Sequence, residues 1–280
     1  MELLKRVISA AILISILVVF IILGGYYMVV LAAIVAVLMM FDVTGVLKKG
    51  ELKPQRIVLL LTSLAIVPAV MFKQMTGYFL LVAAAFSVMT VCVIFSKKPD
   101  FKSLISSFFA LVYPLMPATL LVYLTVRDVV NSNRIGIILC VGAVLCAALS
   151  DTFAYFFGKF FGKRKLCPQI SPKKTIVGSV ASFFGGAVGG VIMGLFLAEA
   201  LAKEPVNAIE LLDWIILGIA CGGFSQIGDL TASMLKRYCN VKDYGNYIPG
   251  HGGIMDRMDS IITCLIAIVV YLQIFIPELL

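Results

Sequence analysis

Apolar runs long enough to cross a bilayer follow one another along the chain and are separated by short polar segments. A helix needs about 20 mostly apolar residues to span the hydrocarbon core. The runs predict nine spans, at 7–24, 26–42, 57–72, 76–96, 104–126, 135–158, 176–198, 212–235 and 258–277. We therefore expect an all-α integral membrane protein, a polytopic bundle of about nine transmembrane helices.

Basic residues divide unevenly between the alternate loops of this arrangement. Of the 23 Lys and Arg residues, 19 fall in the N-terminal segment and in the second, fourth, sixth and eighth loops. Cytoplasmic loops of membrane proteins carry an excess of Lys and Arg. The pattern predicts a cytoplasmic N-terminus and a C-terminus on the outside.

The composition agrees with this interpretation and excludes other classes of protein. The chain is 61% hydrophobic and 14% charged, whereas soluble domains are about 45–50% apolar and about 25% charged. Disordered chains are poor in apolar residues. The net charge of +8 then indicates basic residues retained at one membrane face, or anionic substrates, rather than nucleic acid. The seven cysteines form no CxxC pair, and the chain contains a single histidine. A zinc site of Cys and His ligands is therefore not predicted.

Ionisable residues within the spans concentrate in the second half of the chain. We expect residues 1–130 to form an N-terminal transmembrane scaffold and residues 131–280 to form a C-terminal transmembrane catalytic half with cytoplasmic loops. A helix rich in glycine near 176–198 permits close packing between helices. We expect the two halves to form one continuous bundle.

The strongest chemical pattern runs from residue 225 to residue 259. If 212–237 is helical, one face carries Gln226, Asp229, Ser233 and Lys236 or Arg237. An acid inside a membrane helix is costly and is by default a functional candidate. The alternative for Asp229 is a buried ion pair with a lysine or with Arg257.

Two further acids begin the last span, and glycines precede them. Asp256 could hold Mg²⁺ together with Asp229, because Mg²⁺ takes one or two carboxylates and binds substrate phosphates. Asp259 has either a functional role or a structural one at the helix N-terminus. Gly252 and Gly253 allow the backbone to approach a phosphate closely. His251 is favoured as a phosphate or loop contact over a general base, since a phosphate nucleophile is already ionised. The basic residues expected to engage phosphates here are Lys236, Arg237, Lys242 and Arg257.

A second pattern lies between residues 151 and 175. Asp151 and Tyr155 are spaced for one helical face. The run Ser171-Pro172-Lys173-Lys174-Thr175 follows a basic loop, and Ser171 or Thr175 could cap the next helix. This arrangement suits a polyphosphate, and the alternative is ordinary retention of positive charge.

At this point the chain resembles the phosphatidate cytidylyltransferases, also called CDP-diacylglycerol synthases. The resemblance rests on Ser233-Met-Leu-Lys236-Arg237, four residues, Lys242-Asp243-Tyr-Gly245, and Ile248-Pro249-Gly-His251-Gly252-Gly253-Ile-Met-Asp256-Arg257-Met-Asp259. The 151–158 and 171–175 runs resemble the upstream motifs of that family. Val177 departs from the pattern, since members often carry a polar or acidic residue there.

The resemblance implies the reaction CTP + phosphatidate → CDP-diacylglycerol + pyrophosphate with Mg²⁺, in phospholipid biosynthesis. It implies metal ligation by Asp229 and Asp256, with precedent for a second cation such as K⁺. It also implies a membrane protein that is often a homodimer, in the plasma membrane if the source is bacterial. The excess of Lys and Arg in the loops that carry the motifs places the expected active site on the cytoplasmic face. The expected catalytic residues are Asp229, Asp256, Lys236 and Arg237. The expected phosphate ligands are Ser171, Lys173, Lys174, Thr175, Ser233, Lys242, His251, Gly252, Gly253 and Arg257, and the further candidates are Asp151, Tyr155, Gln226 and Asp259.

Two other functions stay open from the sequence. A CTP-dependent lipid kinase of the dolichol kinase type would transfer the γ-phosphate instead of the cytidylyl group. A transporter or channel would line an ion path with Asp151 and Asp229, and such proteins often contain internal repeats. No convincing repeat is visible here.

Overall fold

Helices make up most of the protein. The computed structural model describes residues 2–201, 211–250 and 252–277, with side chains in 7–197, 211–250 and 252–277. The helices are α1 (Glu2–Leu23), α2 (Gly25–Lys49), α3 (Arg56–Ile94), α4 (Phe101–Ala110), α5 (Met116–Asn131), α6 (Ile135–Phe161), α7 (Ile176–Leu201), α8 (Leu211–Tyr238) and α9 (Met255–Phe275). Two short strands, β1 (Lys165–Cys167) and β2 (Ser171–Thr175), join α6 to α7. The predicted all-α class is confirmed, with this hairpin as an addition.

Most of these helices have the length and composition of membrane spans. Within the described ranges, seven helical segments are long and apolar enough to cross a bilayer, and Val7–Leu23 is a shorter apolar helix. The protein is therefore an integral membrane protein. The number of nine spans and the orientation of the termini stay predictions.

Helix α3 covers two of the predicted spans. Its backbone leaves helical geometry at Lys73 and Gln74, and the φ of Gln74 is 49°. Beyond that kink, a Cβ on Gly77 would collide with the carbonyl group of Ala69. Residues eight apart in a straight helix lie about 12 Å apart along the axis. The chain therefore turns back on itself between the two apolar stretches.

One predicted span, 104–126, is a helix interrupted by a wider turn. Residues Leu111–Leu115 between α4 and α5 adopt a π-helical geometry, and this segment contains Pro114. Proline has no N–H to donate and clashes with the preceding turn. A single π-helical turn relieves both problems without ending the helix.

The chain forms two compact units. The first comprises 1–132 and 236–258, and the second comprises 133–235 and 259–280. In the described part of the first unit, the buried core includes Met39, Met40, Leu59, Ile66, Met89 and Leu111. In the second, it includes Leu139, Met193, Leu197, Leu217 and Ile262. The predicted halves differ from these units in residues 131–132 and 236–258, and the single continuous bundle stays a prediction.

Close glycine contacts organise the second unit around α7. A Cβ on Gly185 would lie 2.5 Å from the carbonyl oxygen of Leu149 in α6. One on Gly186 would collide with the Gly218 carbonyl oxygen of α8 and lie 2.8 Å from the nitrogen of Gly222. Small residues allow membrane helices to approach this closely. The glycine-rich composition of α7 thus lets it pack against α6 on one side and α8 on the other.

Candidate functional site

A cavity of about 480 Å³ lies beside the β-hairpin in the second unit. The hairpin is antiparallel, with Lys165 opposite Thr175 and Cys167 opposite Ser171. The lining of the cavity combines candidate residues from both patterns that the sequence shows. Among the predicted candidates, the cavity is lined by Asp151, Tyr155, Lys173, Lys174, Thr175 and Gln226. Lys159 and Lys165 add further positive charge.

Lys174 and Asp229 form the central ion pair of this unit. Lys174 Nζ lies 2.5 Å from Asp229 Oδ2, and the two side chains are 23% and 30% exposed. Ser233, one turn along α8, donates a long hydrogen bond of 3.4 Å to Asp229 Oδ1. Asp151 lies close enough for the charges of Lys174 and Asp229 to act on it. One lysine thus lies near two carboxylates.

The junction between β2 and α7 explains why Thr175 and its neighbouring glycines occur together. The hydroxyl oxygen of Thr175 accepts a hydrogen bond of 3.2 Å from the N–H of Gly178, as an N-cap does. A Cβ on Gly158 would lie 2.8 Å from Thr175 Oγ1, and one on Gly178 would lie 2.6 Å from the carbonyl oxygen of Ala154. The junction therefore packs directly on α6. The predicted capping role of Thr175 is confirmed, whereas Ser171 begins β2.

Gln226 connects two helices of the same unit. Its side chain is 8% exposed. Its Oε1 accepts a hydrogen bond from the Ser179 hydroxyl, and its Nε2 donates to the Ser179 carbonyl oxygen at 3.2 Å. A further bond reaches the Gly222 carbonyl oxygen at 3.1 Å. Buried amides need such partners, so Gln226 holds α7 against α8 at the edge of the cavity.

A second charged cluster forms in the first unit around Asp256. Lys236 Nζ lies 2.8 Å from Asp256 Oδ1, with side-chain exposures of 14% and 4%. Asp256 Oδ2 accepts hydrogen bonds from the backbone N–H groups of Tyr244 at 2.7 Å and Gly253 at 3.0 Å. The ammonium group of Lys236 also lies 5.3 Å from the centre of the Tyr244 ring. Asp256 therefore closes the loop that precedes α9.

The glycines of this loop have backbone conformations that other residues adopt rarely. The φ of Gly250 is 76° and that of Gly252 is 81°. A Cβ on Gly252 would also lie 2.6 Å from Asp256 Oδ2. Ile248 and Gly252 exchange two backbone hydrogen bonds of 3.1 Å. At position 252, both the backbone angle and the lack of space for a Cβ require glycine. His251 lies outside the described residues.

The remaining predicted residues differ in burial. In the first unit, Arg237, Lys242 and Arg257 are exposed. In the second, Asp259 is 8% exposed, and its Oδ1 accepts from the N–H of Ser260 at 2.8 Å. Exposed cations suit an anion that arrives from solvent, whereas Asp259 has the burial expected of a structural role.

Sequence reasoning missed Asp42 of α2. Its side chain is 2% exposed, and its Oδ2 accepts a hydrogen bond of 3.0 Å from the N–H of Met255. The available signal was a lone acid at the end of an apolar run, the same signal that singled out Asp229 in α8.

The donor atoms suit a hard cation that shares its coordination with phosphates. Within the described ranges, no group of three or more His, Cys, Asp or Glu side chains could hold a metal ion. Mg²⁺ needs only one or two carboxylates when waters and substrate phosphates complete its shell. Asp229 and the nearby Asp151 meet that requirement, whereas three hydrogen bonds already occupy Asp256. The pairing of Asp229 with Asp256 stays a prediction, because the two belong to different units.

Comparisons with known proteins bear on this site. The model of the cytidylyltransferase family matches residues 4–275. A phosphatidate cytidylyltransferase of Bacillus subtilis is 40% identical over 136 residues, covering 48% of this chain and 46% of the relative. One from Haemophilus influenzae is 39% identical over 130 residues, covering 45% and 42%. One from Staphylococcus aureus is 43% identical over 120 residues, covering 42% of each. The chain thus matches somewhat less than half the length of these relatives.

Proposed function

The chain belongs to the cytidylyltransferase family, and from this premise we propose that it converts CTP and phosphatidate to CDP-diacylglycerol and pyrophosphate. A phosphate oxygen of phosphatidate attacks the α-phosphorus of CTP. The bond from that phosphorus to the oxygen bridging the α- and β-phosphates breaks, and pyrophosphate leaves with those electrons. The curated relatives carry the name of this activity.

The observation that carries the proposal is the lysine-rich cavity of the second unit. Its volume of about 480 Å³ falls in the range of small-molecule sites, about 300–1,000 Å³. The lining includes four lysines and one acid, namely Lys159, Lys165, Lys173, Lys174 and Asp151. Phosphoryl and nucleotidyl transfer depend mostly on positioning and on neutralising phosphate charge. A cavity with this charge suits the triphosphate of CTP.

Within that cavity, we assign separate tasks to the two lysines of β2. Lys173 is exposed and would engage a phosphate group directly. Lys174 holds the carboxylate of Asp229 at 2.5 Å and orients that acid. Thr175 fixes the junction through its bond to Gly178. That bond holds β2, and with it the two lysines, in the lining of the cavity.

The cluster of the first unit presents a second set of phosphate contacts. Asp256 accepts hydrogen bonds from the backbone N–H groups of Tyr244 and Gly253, while Lys236 forms an ion pair with it. The exposed side chains of Lys242 and Arg257 remain accessible to an anion. The glycines allow close approach of a phosphate to the backbone.

Magnesium is the proposed cofactor. Asp229, with Asp151 beside it, would hold the ion together with CTP phosphates, and the family resemblance adds Asp256 as a ligand and K⁺ as a second cation. When bound, Mg²⁺ supplies positive charge that stabilises the developing charge on the pyrophosphate. The ion pair between Lys174 and Asp229 orients the carboxylate for this role.

The surroundings follow from the charge pattern. We propose a plasma membrane location in a bacterium, with both charged clusters facing the cytoplasm, because the basic loops that carry them belong to the side with excess Lys and Arg. That face gives access to soluble CTP as well as to the lipid headgroup. A homodimer is the expected assembly.

Differential labelling of CTP tests the proposal. The purified full chain receives phosphatidate, Mg²⁺ and CTP labelled either in the cytidine or at the γ-phosphate. We expect cytidine label in the lipid and γ-label in pyrophosphate. Appearance of γ-label in the lipid would instead establish a lipid kinase, and no transfer of either label would refute the proposal.

Two substitutions test the assigned carboxylates in the same assay. Asp229→Asn and Asp256→Asn should each abolish cytidylyl transfer while the purified protein keeps its thermal unfolding midpoint within a few degrees. Removal of divalent cations by a chelator should stop the wild-type reaction, and Mg²⁺ should restore it. Full activity in both variants would overturn the site assignment.

A further inference from the structure

A buried carboxylate lies in the first unit, outside residues 233–259, the run that carries the family resemblance and is called the signature below. Asp42 belongs to α2, is 2% exposed and is surrounded in sequence by apolar residues. Burying a charged group is costly unless hydrogen bonds or opposite charges compensate it. Its partners therefore indicate what the residue holds in place.

The carboxylate of Asp42 binds both arms of the loop that precedes α9. Its Oδ2 accepts the N–H of Met255, the first residue of α9, at 3.0 Å across 213 positions of sequence. The hydroxyl group of Tyr247 is also hydrogen-bonded to Asp42. That same hydroxyl oxygen accepts the N–H of Ile254 at 3.1 Å. Asp42 and Tyr247 thus connect the arm at 244–247 to the arm at 253–255.

Two glycines of the signature make room for Asp42. A Cβ on Gly245 would lie 2.9 Å from Asp42 Oδ1, and one on Gly253 would overlap Asp42 Oδ2. Since each arm contributes one of these glycines, the loop backbone passes directly over the carboxylate. The spacing of the signature therefore fits an acid at position 42.

The same loop is bound by Asp256 through other groups. Asp256 accepts the N–H groups of Tyr244 and Gly253, whereas Asp42 accepts that of Met255. Two carboxylates thus hold one short loop, and Met255 is the residue immediately before Asp256. A shift at Met255 would move Asp256 and its partner Lys236 directly.

Tyr247 is suited to remain a hydrogen-bond donor. Burial raises the pKa of its phenol, and the hydrogen bond to the Asp42 carboxylate raises that pKa further. The hydroxyl group consequently stays protonated throughout the neutral range, and the bond to Asp42 persists there.

We propose that Asp42 is a positioning residue for cytidylyl transfer, which holds both arms of the 244–255 loop so that Asp256 and Lys236 keep their arrangement. The inference rests on the proposed function, and it assigns to α2 a part in the chemistry of the C-terminal signature. Asp42 touches no substrate in this proposal and acts only through the loop.

Kinetics of matched variants test the proposal. Asp42→Asn keeps the size of the side chain but replaces one acceptor oxygen with an amide. We expect kcat to fall at least tenfold while the KM for phosphatidate stays within twofold. Asp128→Asn is the control, because Asp128 is another acid of the same unit and is 4% exposed. The control should keep kcat within twofold. A kcat for Asp42→Asn within twofold of wild type, or an equal loss in the control, would overturn the proposal.

Tyr247→Phe provides a milder variant if Asp42→Asn folds poorly. It removes only the phenolic oxygen, and kcat should fall about three- to tenfold. In the double variant Asp42→Asn/Tyr247→Phe, the fold-loss in kcat should be smaller than the product of the two single fold-losses, because both residues act on the same loop. An unchanged kcat in Tyr247→Phe, or fully multiplicative losses, would contradict the proposal.

Hydrogen exchange separates this inference from the proposed activity. In the full-length protein, Asp42→Asn should speed amide exchange of the 244–255 segment at least tenfold and leave α5 unchanged. This result is expected whether or not wild-type protein forms CDP-diacylglycerol, so failure of the proposed function would be recognised separately. Equal exchange of that segment in wild type and variant would refute the positioning role.

Discussion

The ion pair between Lys174 and Asp229 makes a prediction that distinguishes two adjacent lysines. Both line the cavity, but only Lys174 is paired with Asp229, at 2.5 Å. Lys174→Gln removes that charge and leaves a carboxylate without its cation. We therefore expect a larger loss of activity from Lys174→Gln than from Lys173→Gln.

The magnitude follows from the geometry of the pair. A hydrogen bond to a charged group contributes about 1.5–3 kcal/mol. The side chains are 23% and 30% exposed, and solvent screening lowers the contribution of exposed pairs. We take about 1–2 kcal/mol as the contribution of the pair between Lys174 and Asp229, which corresponds to a loss of about 5- to 30-fold in kcat/KM. Lys173→Gln should lose less than about threefold on the same scale.

The assay is release of pyrophosphate at varied CTP with purified protein in detergent micelles containing phosphatidate. Lys163→Gln is the matched control, because Lys163 is an exposed residue of the same basic loop outside the cavity lining. Because Asp229→Asn should abolish transfer, the double variant is compared by equilibrium binding of CTP. In Lys174→Gln/Asp229→Asn, the loss of CTP affinity should equal that of Asp229→Asn alone, since the pair is already broken. Equal losses at Lys173 and Lys174, or multiplicative losses in the double variant, would refute this reasoning.

Two further predictions concern stability, measured as thermal unfolding of the purified protein. Gly186→Ala should destabilise the protein by about 1–3 kcal/mol, because its Cβ would collide with α8. The control Gly45→Ala, where nothing lies within 4 Å of the added Cβ, should be neutral or stabilising by up to about 1 kcal/mol. Similar losses of stability in both variants would be inconsistent with the close helix contact. Lys236→Met should destabilise by about 3 kcal/mol because Asp256 is 4% exposed, whereas the exposed Lys97→Met control should change little; an unchanged unfolding midpoint in Lys236→Met would show that the pair does not hold the loop.

Local patterns in the sequence identified much of this architecture. Long apolar runs specify helices because only internally hydrogen-bonded segments are stable in lipid. The helical spacing of Asp151 and Tyr155 placed them on one face, and both line the cavity. The β-hairpin was not predicted, because strands of three and five residues are too short for a clear alternation.

The partners of the charged groups could not be read in the same way. From the sequence alone, several lysines and arginines are possible partners of Asp229. Packing of α6, α7 and the hairpin decides that Lys174 is the partner. Glycines at 158 and 178 permit that packing because a Cβ would meet Thr175 in one case and the Ala154 carbonyl oxygen in the other. Sequence spacing gives the face of a helix but not its neighbour.

The sequence by itself determined the membrane class, the glycine-rich helix and the loop with Gly252, Gly253 and Asp256, because periodicity, composition and motif spacing are local properties. Tertiary structure alone decided that Asp42 of α2 bonds to Met255, 213 positions away, and that two carboxylates hold one loop. The physical reason is that a buried charge is stable only where distant segments bring donors to it, and packing, rather than spacing along the chain, sets which segments meet.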